Sequence, residues 1–475
     1  MNIYSIFIVS FFWLFSFVLS RELVADPSCE HVLALPATAS KDWASLSKDA
    51  RTLVVIDAVS SGSNYPVRAK ELFPDIQLIH IQSTPVLPDV LAQGLNLNHF
   101  DLTLVYEPAE LDSLVDELKQ FQNLHIVTGS EVSPHLRVIL ASRLHLPSSP
   151  LDSVKSLNDK YEAAALLRPY VKTIPGEVFS NAWEALNWAE SQGMTLPFLI
   201  KPVDASGSYG VHMVESMDEF FRVFHESTSR PNPLGRANNR VLVQPYLSRE
   251  VYTEYVIDVV VSSDHQVRIA EVLVYKKQAR DGHINYMTTK LVDGAELQEM
   301  MGPFQEFSEG VVKGLKIEEG VLHIEAFVNK NVQPPEMVFI EAGARPAGGG
   351  IPQFVRACGV TDMITLHLMS LFDREGFRAI AHLPPVGERS GIQVELLGPE
   401  KAGVLDSVPS IDEFKQKIPG FLSHSLRMIP GTVLEPSHDL FQGAGVVNVV
   451  GTEDEVNAAE SHLRKWESED LYRLK

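Results

Sequence analysis

Two runs of strand-forming residues, 321–328 (VLHIEAFV) and 337–343 (MVFIEAG), flank a polar connection that holds Pro334 and Pro335. Proline cannot donate to a sheet ladder, so the pair belongs in the turn and the two runs form a hairpin. With Gln333 at the centre of the connection, Glu325 and Glu341 face each other. Like charges directly opposite one another destabilise a sheet, so such a pair persists only where solvent screens it or a cation sits between. A hard divalent ion fits, because Mg²⁺ takes one or two protein carboxylates and completes its octahedron with water and substrate phosphates. Alternation along the strand puts His323 on the face of Glu325. After Glu341 the chain continues Gly343-Ala344-Arg345-Pro346-Ala347-Gly348-Gly349-Gly350. That is a fixed cation followed by three glycines whose backbone N–H groups can approach an anion. Metal, arginine and bare backbone together suit phosphoryl chemistry. The plainer alternative, a surface hairpin with two solvated glutamates and a flexible loop, suits Glu325 taken singly better than it suits the whole set.

At 475 residues the chain has room for about two to four domains and a well-buried core. Its net charge of −21, with no basic run, argues against nucleic acid or an anionic membrane surface as a partner. Cys29 and Cys358 are the only cysteines, which makes neither a disulfide framework nor a cysteine metal site and suits a reducing compartment. Residues 3–19 are uncharged and rich in Phe, Ile, Leu and Val, as in a signal peptide or membrane anchor. The first basic residue, Arg21, follows the apolar run, and Ser-Arg-Glu is a poor cleavage site. Three readings stay open: an anchor with the catalytic body in the cytoplasm, a secretory signal, or a leader from a mis-set start codon. Any membrane contact would then run through residues 1–20 alone.

Residues 21–50 show no periodicity and read as a linker. From Arg51 apolar strands alternate with helical stretches: LVVIDAV, a turn at 60–64, a helix near 66–72, IQLIHI, LTLVYE, a helix over 108–121, and LHIVTG. The alternation predicts a parallel sheet of Rossmann-like topology over 51–150. Its first loop lacks the G-x-G-x-x-G fingerprint, which argues against dinucleotide binding there. Asn158 is a plausible N-cap for a helix to about Leu167, ended by Pro169. Lys160 then lies in the first turn, which the helix dipole disfavours, so solvent absorbs the cost or a nearby anion offsets it.

The strand PFLIKP ends on Lys201 and Pro202, and the loop Asp204-Ala205-Ser206-Gly207-Ser208-Tyr209-Gly210 precedes the strand VHMV. A lysine beside a small-residue loop can cradle phosphate, although this is not a Walker loop, and a mobile hairpin tip is the plainer reading of it alone. Ser216 and Glu219 form a capping box for a helix to about Phe224, followed by a loop over 231–239. Strands VLVQPYL, YTEYVIDVVV and VRIAEVLVYKK come next, then loops marked by Gly282, His283 and Gly294, and a helix over 295–315. These strands, with the hairpin and its helix, predict an antiparallel α+β layer. A helix over 361–377 and the strands SGIQVELL and AGVVNVVG with a last helix over 452–466 read as a small closing domain over 371–475.

Lys160, Lys201 before its small-residue loop, the run Gln244-Pro245-Tyr246-Leu247, Glu254, and then Glu325, Glu341 and Arg345 form an ordered set. The set resembles the ATP-grasp superfamily, and within it the carboxylate–amine ligases of the bacilysin and dapdiamide type, which join amino acids. The resemblance covers roughly residues 51–362. It implies a mixed α/β and α+β fold: a Rossmann-like N-terminal domain, an ATP-grasp domain over 151–370 with a lid at about 172–245, an antiparallel catalytic sheet and a small C-terminal domain. By resemblance, the Pro245 carbonyl accepts from the adenine amino group and the Leu247 N–H donates to the ring, with Gln244 and Tyr246 beside them. Gln244 stands where the family usually has Glu. Glu254 would hold the ribose. Lys160 and Lys201 would contact the phosphates under the loop of Ser206, Gly207, Ser208 and Gly210. Glu325 and Glu341 would bind Mg²⁺, or Mn²⁺ in its place, although the family's usual third ligand, an Asn, is Gly343 here.

The implied reaction joins a small-molecule carboxylate to an amine, amino acids by preference, through an acyl phosphate, with Arg345 and Lys201 as catalytic groups and ADP and phosphate released. Arg345, Gly348, Gly349 and His283 are candidates for the substrate pocket, and Lys290 is a further one. The resemblance leaves a homodimer open. Two other outcomes share the nucleotide site: a kinase or carboxylase-like enzyme, or a nucleotide-binding protein without catalysis.

Overall fold

The computed structural model describes residues 42–87, 94–229, 231–280, 282–292, 294–380 and 389–475. The apolar leader at 1–20 and the linker segment 21–41 lie outside the described residues. Within residues 42–50, Leu46 is buried in the core and the Trp43 ring lies 6.2 Å from that of Phe121.

Four short apolar runs form a parallel sheet: β1 (Arg51–Ile56), β2 (Gln77–Gln82), β3 (Leu102–Val105) and β4 (Asn123–Thr128). Their order is β3-β2-β1-β4. β1 is buried from Thr52 onward because apolar residues meet it on both faces, as its unbroken apolar run requires. The strand order reverses at β1, with β2 and β3 added on one side and β4 on the other, so the loops after β1 and β4 flank a crevice of the kind in which open α/β sheets bind ligands. Gly62 and Gly129 let those loops touch, since a Cβ on Gly62 would lie 2.2 Å from the Gly129 carbonyl oxygen.

A second, largely antiparallel sheet carries the rest. Its strands are β5 (Glu177–Phe179), β6 (Phe198–Pro202), β7 (His212–Val214), β8 (Val241–Pro245), β9 (Thr253–Val261), β10 (Val267–Arg280), β11 (His283–Leu291), β12 (Gly320–Asn329) and β13 (Glu336–Gly343). They run in the order β13-β12-β9-β10-β11-β7-β6-β8-β5. β14 (Ser390–Leu396) pairs with β11 and with the strand Gly445–Gly451, so C-terminal strands extend this sheet by main-chain hydrogen bonds. The helix Gly294–Gly314 covers one face, where Phe304, Phe307 and Val311 meet Tyr255, Ile257, Ile324 and Ala326.

The β12–β13 hairpin has the expected register at its functional end, with Glu325 opposite Glu341. Beyond that pair a bulge shifts the ladder by one residue, so that Ala326 faces Phe339 and Ile340 is the extra residue. Several local expectations change. Asp159, not Asn158, caps the helix Lys160–Leu167, its Oδ1 accepting from the N–H groups of Tyr161 and Glu162. The stretch around His283 is strand rather than loop, because the β-prone run from Ile284 to Leu291 lies between β10 and β14 and has ladder partners on both sides. The capping box at Ser216 and Glu219 is present, and its helix runs to Thr228. The helix expected over 361–377 breaks into Met363–Phe372 and Arg374–Ala379 at Asp373, whose side chain caps the second piece. Among the described residues no helix is long and apolar enough to cross a membrane.

Candidate active site

Between the β6–β7–β8 strands and the β9–β13 strands lies an open cavity. Ile174, Leu199, Ile284, Phe327 and Ile340 supply apolar walls, and charged groups gather on the side nearest the hairpin. Of the residues expected to bind nucleotide or metal, Lys160, Lys201, Ser206, Ser208, Gln244, Pro245, Tyr246, Leu247, Glu254, Glu325 and Glu341 line it. Gly207 and Gly210 belong to the same loop, at φ of 63° and 64°. A Cβ at Gly210 would sit 2.9 Å from Pro202 Cγ. The loop is held from outside by Leu440, whose N–H donates to the Gly207 carbonyl at 3.0 Å.

The anion that offsets Lys160 at its helix start is Glu341: Lys160 Nζ lies 2.8 Å from Glu341 Oε2 and also donates to the Ala205 carbonyl. Burial would raise the Glu341 carboxyl, but the Lys160 charge outweighs it and holds it at about 2. Glu325 is pushed the other way, by burial and by Glu341 opposite, with Lys277 only partly compensating. Two neighbouring carboxylates with divergent proton affinities are what an unscreened like-charge pair produces.

Lys277 was not legible as a site residue in the sequence. Its Nζ lies 2.5 Å from Glu254 Oε1 and 3.8 Å from Glu325 Oε2, and 4.0 Å from the Tyr286 ring centroid. Arg249 takes the other Glu254 oxygen at 3.1 Å. Strand alternation was the available signal, since one lysine of the Lys276-Lys277 pair must point inward.

Two groups lining the cavity lack partners. Lys201 is 5% exposed and makes no ion pair among the described residues. Burial, then the like charge of Lys160, lowers its ammonium to about 8. Gln244 donates to the Ile174 carbonyl at 3.4 Å, while its buried Oε1 has no donor. An unmatched cation and an unmatched acceptor in one cavity call for a ligand with anionic and amino groups.

Arg345 and the glycine run lie outside this cavity. Arg345 Nε donates to Glu131 Oε2 at 2.5 Å, and although burial pushes Glu131 up, the Arg345 charge lowers it below its ordinary value. Glu131 follows β4 at the crevice, a position that an acid after a parallel strand could have flagged. The Gly350 N–H donates to Ser61 Oγ at 3.3 Å, and the Gly349 carbonyl accepts from Gln393 Nε2 at 2.7 Å. A Cβ on Gly348 would lie 3.9 Å from Ser60 Oγ. The glycines thus face the loop after β1. His283 and Lys290 are not brought to the site. Ile284 and Tyr286 face the cavity, so alternation turns His283 away, and its ring lies tilted against that of His438 with centroids 4.5 Å apart. Lys290 reaches Asn457 at 3.1 Å, beside the helix Glu453–Glu469.

Among the described residues no three His, Cys, Asp or Glu side chains converge as a metal cage. The paired carboxylates Glu325 and Glu341, beside two lysines, fit an ion whose remaining positions are filled by phosphate and water.

Residues 194–353 match the ATP-grasp domain family. Dapdiamide A synthase of Enterobacter agglomerans is 25% identical over 418 residues, spanning 85% of this chain and 92% of that protein. The crystal structure of L-amino acid ligase from Bacillus licheniformis superposes with a TM-score of 0.63 at 15% identity, over 88% of this chain and 98% of that one. N5-carboxyaminoimidazole synthase from Aspergillus clavatus, solved with ADP and an aminoimidazole ribonucleotide, gives a TM-score of 0.61 at 14% identity, over 89% of this chain and all of that one. The match over residues 194–353 and these superpositions give the chain the ATP-grasp fold.

Proposed function

We propose that this chain is an ATP-dependent carboxylate–amine ligase, with amino acids as substrates. The observation that carries the reading is the buried, unpaired Lys201 ammonium in a cavity that also holds the Glu325–Glu341 pair. A buried charge without a partner costs several kcal/mol, roughly, unless a ligand supplies the counter-charge. A nucleotide polyphosphate does so.

Gln244 Oε1 and the Pro245 carbonyl would accept from the adenine amino group at the apolar end. Glu254, fixed by Lys277 and Arg249, keeps lone pairs for ribose hydroxyls. Lys160 and Lys201 would hold phosphate oxygens, with the Ser206–Gly210 backbone over them. Glu325 and Glu341 would hold Mg²⁺, which when bound neutralises phosphate charge.

In the first step a substrate carboxylate oxygen attacks the γ-phosphorus, the bond to the bridging oxygen breaks, and ADP leaves. In the second an amine nitrogen attacks the acyl carbon, phosphate leaves with the carbonyl-side oxygen, and the nitrogen loses its proton. The protein's contribution is positioning and charge neutralisation. Arg345 and Glu131, at the crevice of the parallel sheet, would meet the substrates. A closed phosphate loop excludes the water that would hydrolyse the acyl phosphate.

The test is incubation with ATP, Mg²⁺ and pooled amino acids. ADP and phosphate released only when carboxylate and amine are both present, with a dipeptide mass appearing, supports ligation. ADP without free phosphate would replace this reading with a kinase, and the absence of nucleotide turnover under any pairing would remove the enzyme reading.

A further inference from the structure

Behind Glu325, on the same face of the large sheet, three ionisable side chains stand in one row across adjacent strands. Glu271 on β10 is in register with Asp258 on β9, and Asp258 with His323 on β12. Glu271 and Asp258 are fully buried, and His323 is 5% exposed. Asp258 Oδ1 lies 2.7 Å from His323 Nδ1, and the far ring nitrogen of His323 lies 3.3 Å from the Tyr275 hydroxyl and 3.7 Å from Glu325 Oε1. Asp258 Oδ2 has no donor in the described protein, and besides Asp258 the Glu271 carboxyl has only the Met363 backbone N–H near it. Two buried carboxyl groups facing each other are satisfied when one keeps its proton, and burial with the Asp258 charge beside it pushes Glu271 well above the usual carboxyl range.

A row of this kind is expensive. Each ionisable group loses hydration, and apolar residues of similar volume would pack there at no such cost, as Val256 and Val260 do on the same strand. The row meets the candidate metal ligands at Glu325. That carboxylate is repelled by Glu341 opposite and drawn by Lys277 toward the Glu254 ion pairs. Without a hold on its other oxygen it would turn into that network and leave the metal position. The far ring nitrogen of His323, 3.7 Å from Glu325 Oε1, is the contact on that side, and Asp258 at 2.7 Å from Nδ1 fixes the orientation of the ring.

We propose that Asp258 and His323 are positioning residues that aim the Glu325 carboxylate at a divalent metal, with Glu271 completing the hydrogen bonding of Asp258. The proposal rests on the ligase site described above. It follows the general pattern in which groups behind a metal ligand orient it, and whose loss lowers metal affinity about 10–100-fold.

The test uses Mn²⁺ as probe and ADP as nucleotide on the full chain, with free Mn²⁺ read by electron paramagnetic resonance. Asp258→Asn and His323→Gln should each weaken Mn²⁺ binding in the presence of ADP by about 10–100-fold. The double variant should be no weaker than the weaker single one, because the two act as a unit. ADP binding measured calorimetrically in chelator should stay within about twofold, a split that a general loosening of the fold would not give. Should Asp258→Asn fail to fold, His323→Gln alone decides. Wild-type protein that binds Mn²⁺ with ADP while His323→Gln binds it equally well overturns the positioning role and leaves the ligase reading standing. Wild-type protein that binds no Mn²⁺ in the presence of ADP overturns both.

Discussion

Lys160 Nζ lies 2.8 Å from Glu341 Oε2, tying the first residue of a helix to the second strand of the hairpin. The ammonium occupies ground next to a carboxylate pair that a metal would otherwise neutralise, so in the ligand-free protein it keeps Glu341 charged beside Glu325. Lys160→Met removes that partner and should destabilise the metal-free protein by about 1.5–3 kcal/mol. Adding Glu341→Gln to Lys160→Met should recover most of the loss. Urea unfolding of the two variants checks this, and a double variant as unstable as the sum of its parts would show that the two residues do not interact.

Lys201 should behave in the opposite sense. Its ammonium has no carboxylate partner, so Lys201→Met should leave the ligand-free protein as stable as the parent or slightly more so, while lowering kcat/KM for ATP about 10²–10³-fold. Because burial and the Lys160 charge lower this group to about 8, the lysine is charged below that pH and loses its proton above it. Nucleotide affinity should therefore decline as pH rises through about 8 and should be flat there in Lys201→Met. Calorimetric titration of ADP at pH 7 and pH 9 measures the difference.

Asp159→Ala should cost about 1 kcal/mol by removing the N-cap of the helix that begins at Lys160, and it also frees Arg240, which lies 2.8 Å from Asp159 Oδ2. Since the helix start carries a candidate phosphate ligand, the KM for ATP should rise with it. The neighbouring Asn158→Ala should do markedly less. Thermal melts and ATP titrations of the two variants, side by side, separate capping from general loop disturbance.

Glu395 gives a pH effect far from nucleotide chemistry. Burial raises its carboxyl to about 7, with Arg427, 3.6 Å away, offsetting only part of the effect. The folded protein then holds a proton that the unfolded chain has already lost above its ordinary value of 4.5. Stability should fall as pH rises from about 4.5 to about 7 and level off above, by at most ~3 kcal/mol from this group. Glu395→Gln should flatten that slope in unfolding midpoints measured across the window.

The hairpin, the parallel sheet and the order of nucleotide-binding residues were legible in the sequence because each rests on local physics. Prolines cannot join a ladder, alternation assigns faces, and Glu325 opposite Glu341 follows from one choice of turn centre. Asn158 and Asp159 show the limit of local reading: both are good capping residues, and backbone geometry at one position decided between them. The strand beginning at His283 was hidden because glycines flank it, and although β10 ends just before it at Arg280, its other ladder partners, β7 and β14, lie far away in sequence.

What the sequence by itself determined is therefore the set of strand faces and the residue types that reach a nucleotide cavity. Tertiary structure alone decided the partners of those residues: Lys160 with Glu341, Lys277 between Glu254 and Glu325, Arg345 with Glu131, and Lys201 and Gln244 Oε1 with none in the described protein. Periodicity acts over a few neighbours along the chain, whereas pairing a buried charge depends on which distant segments the fold brings within about 4 Å, where low polarisability makes the interaction strong.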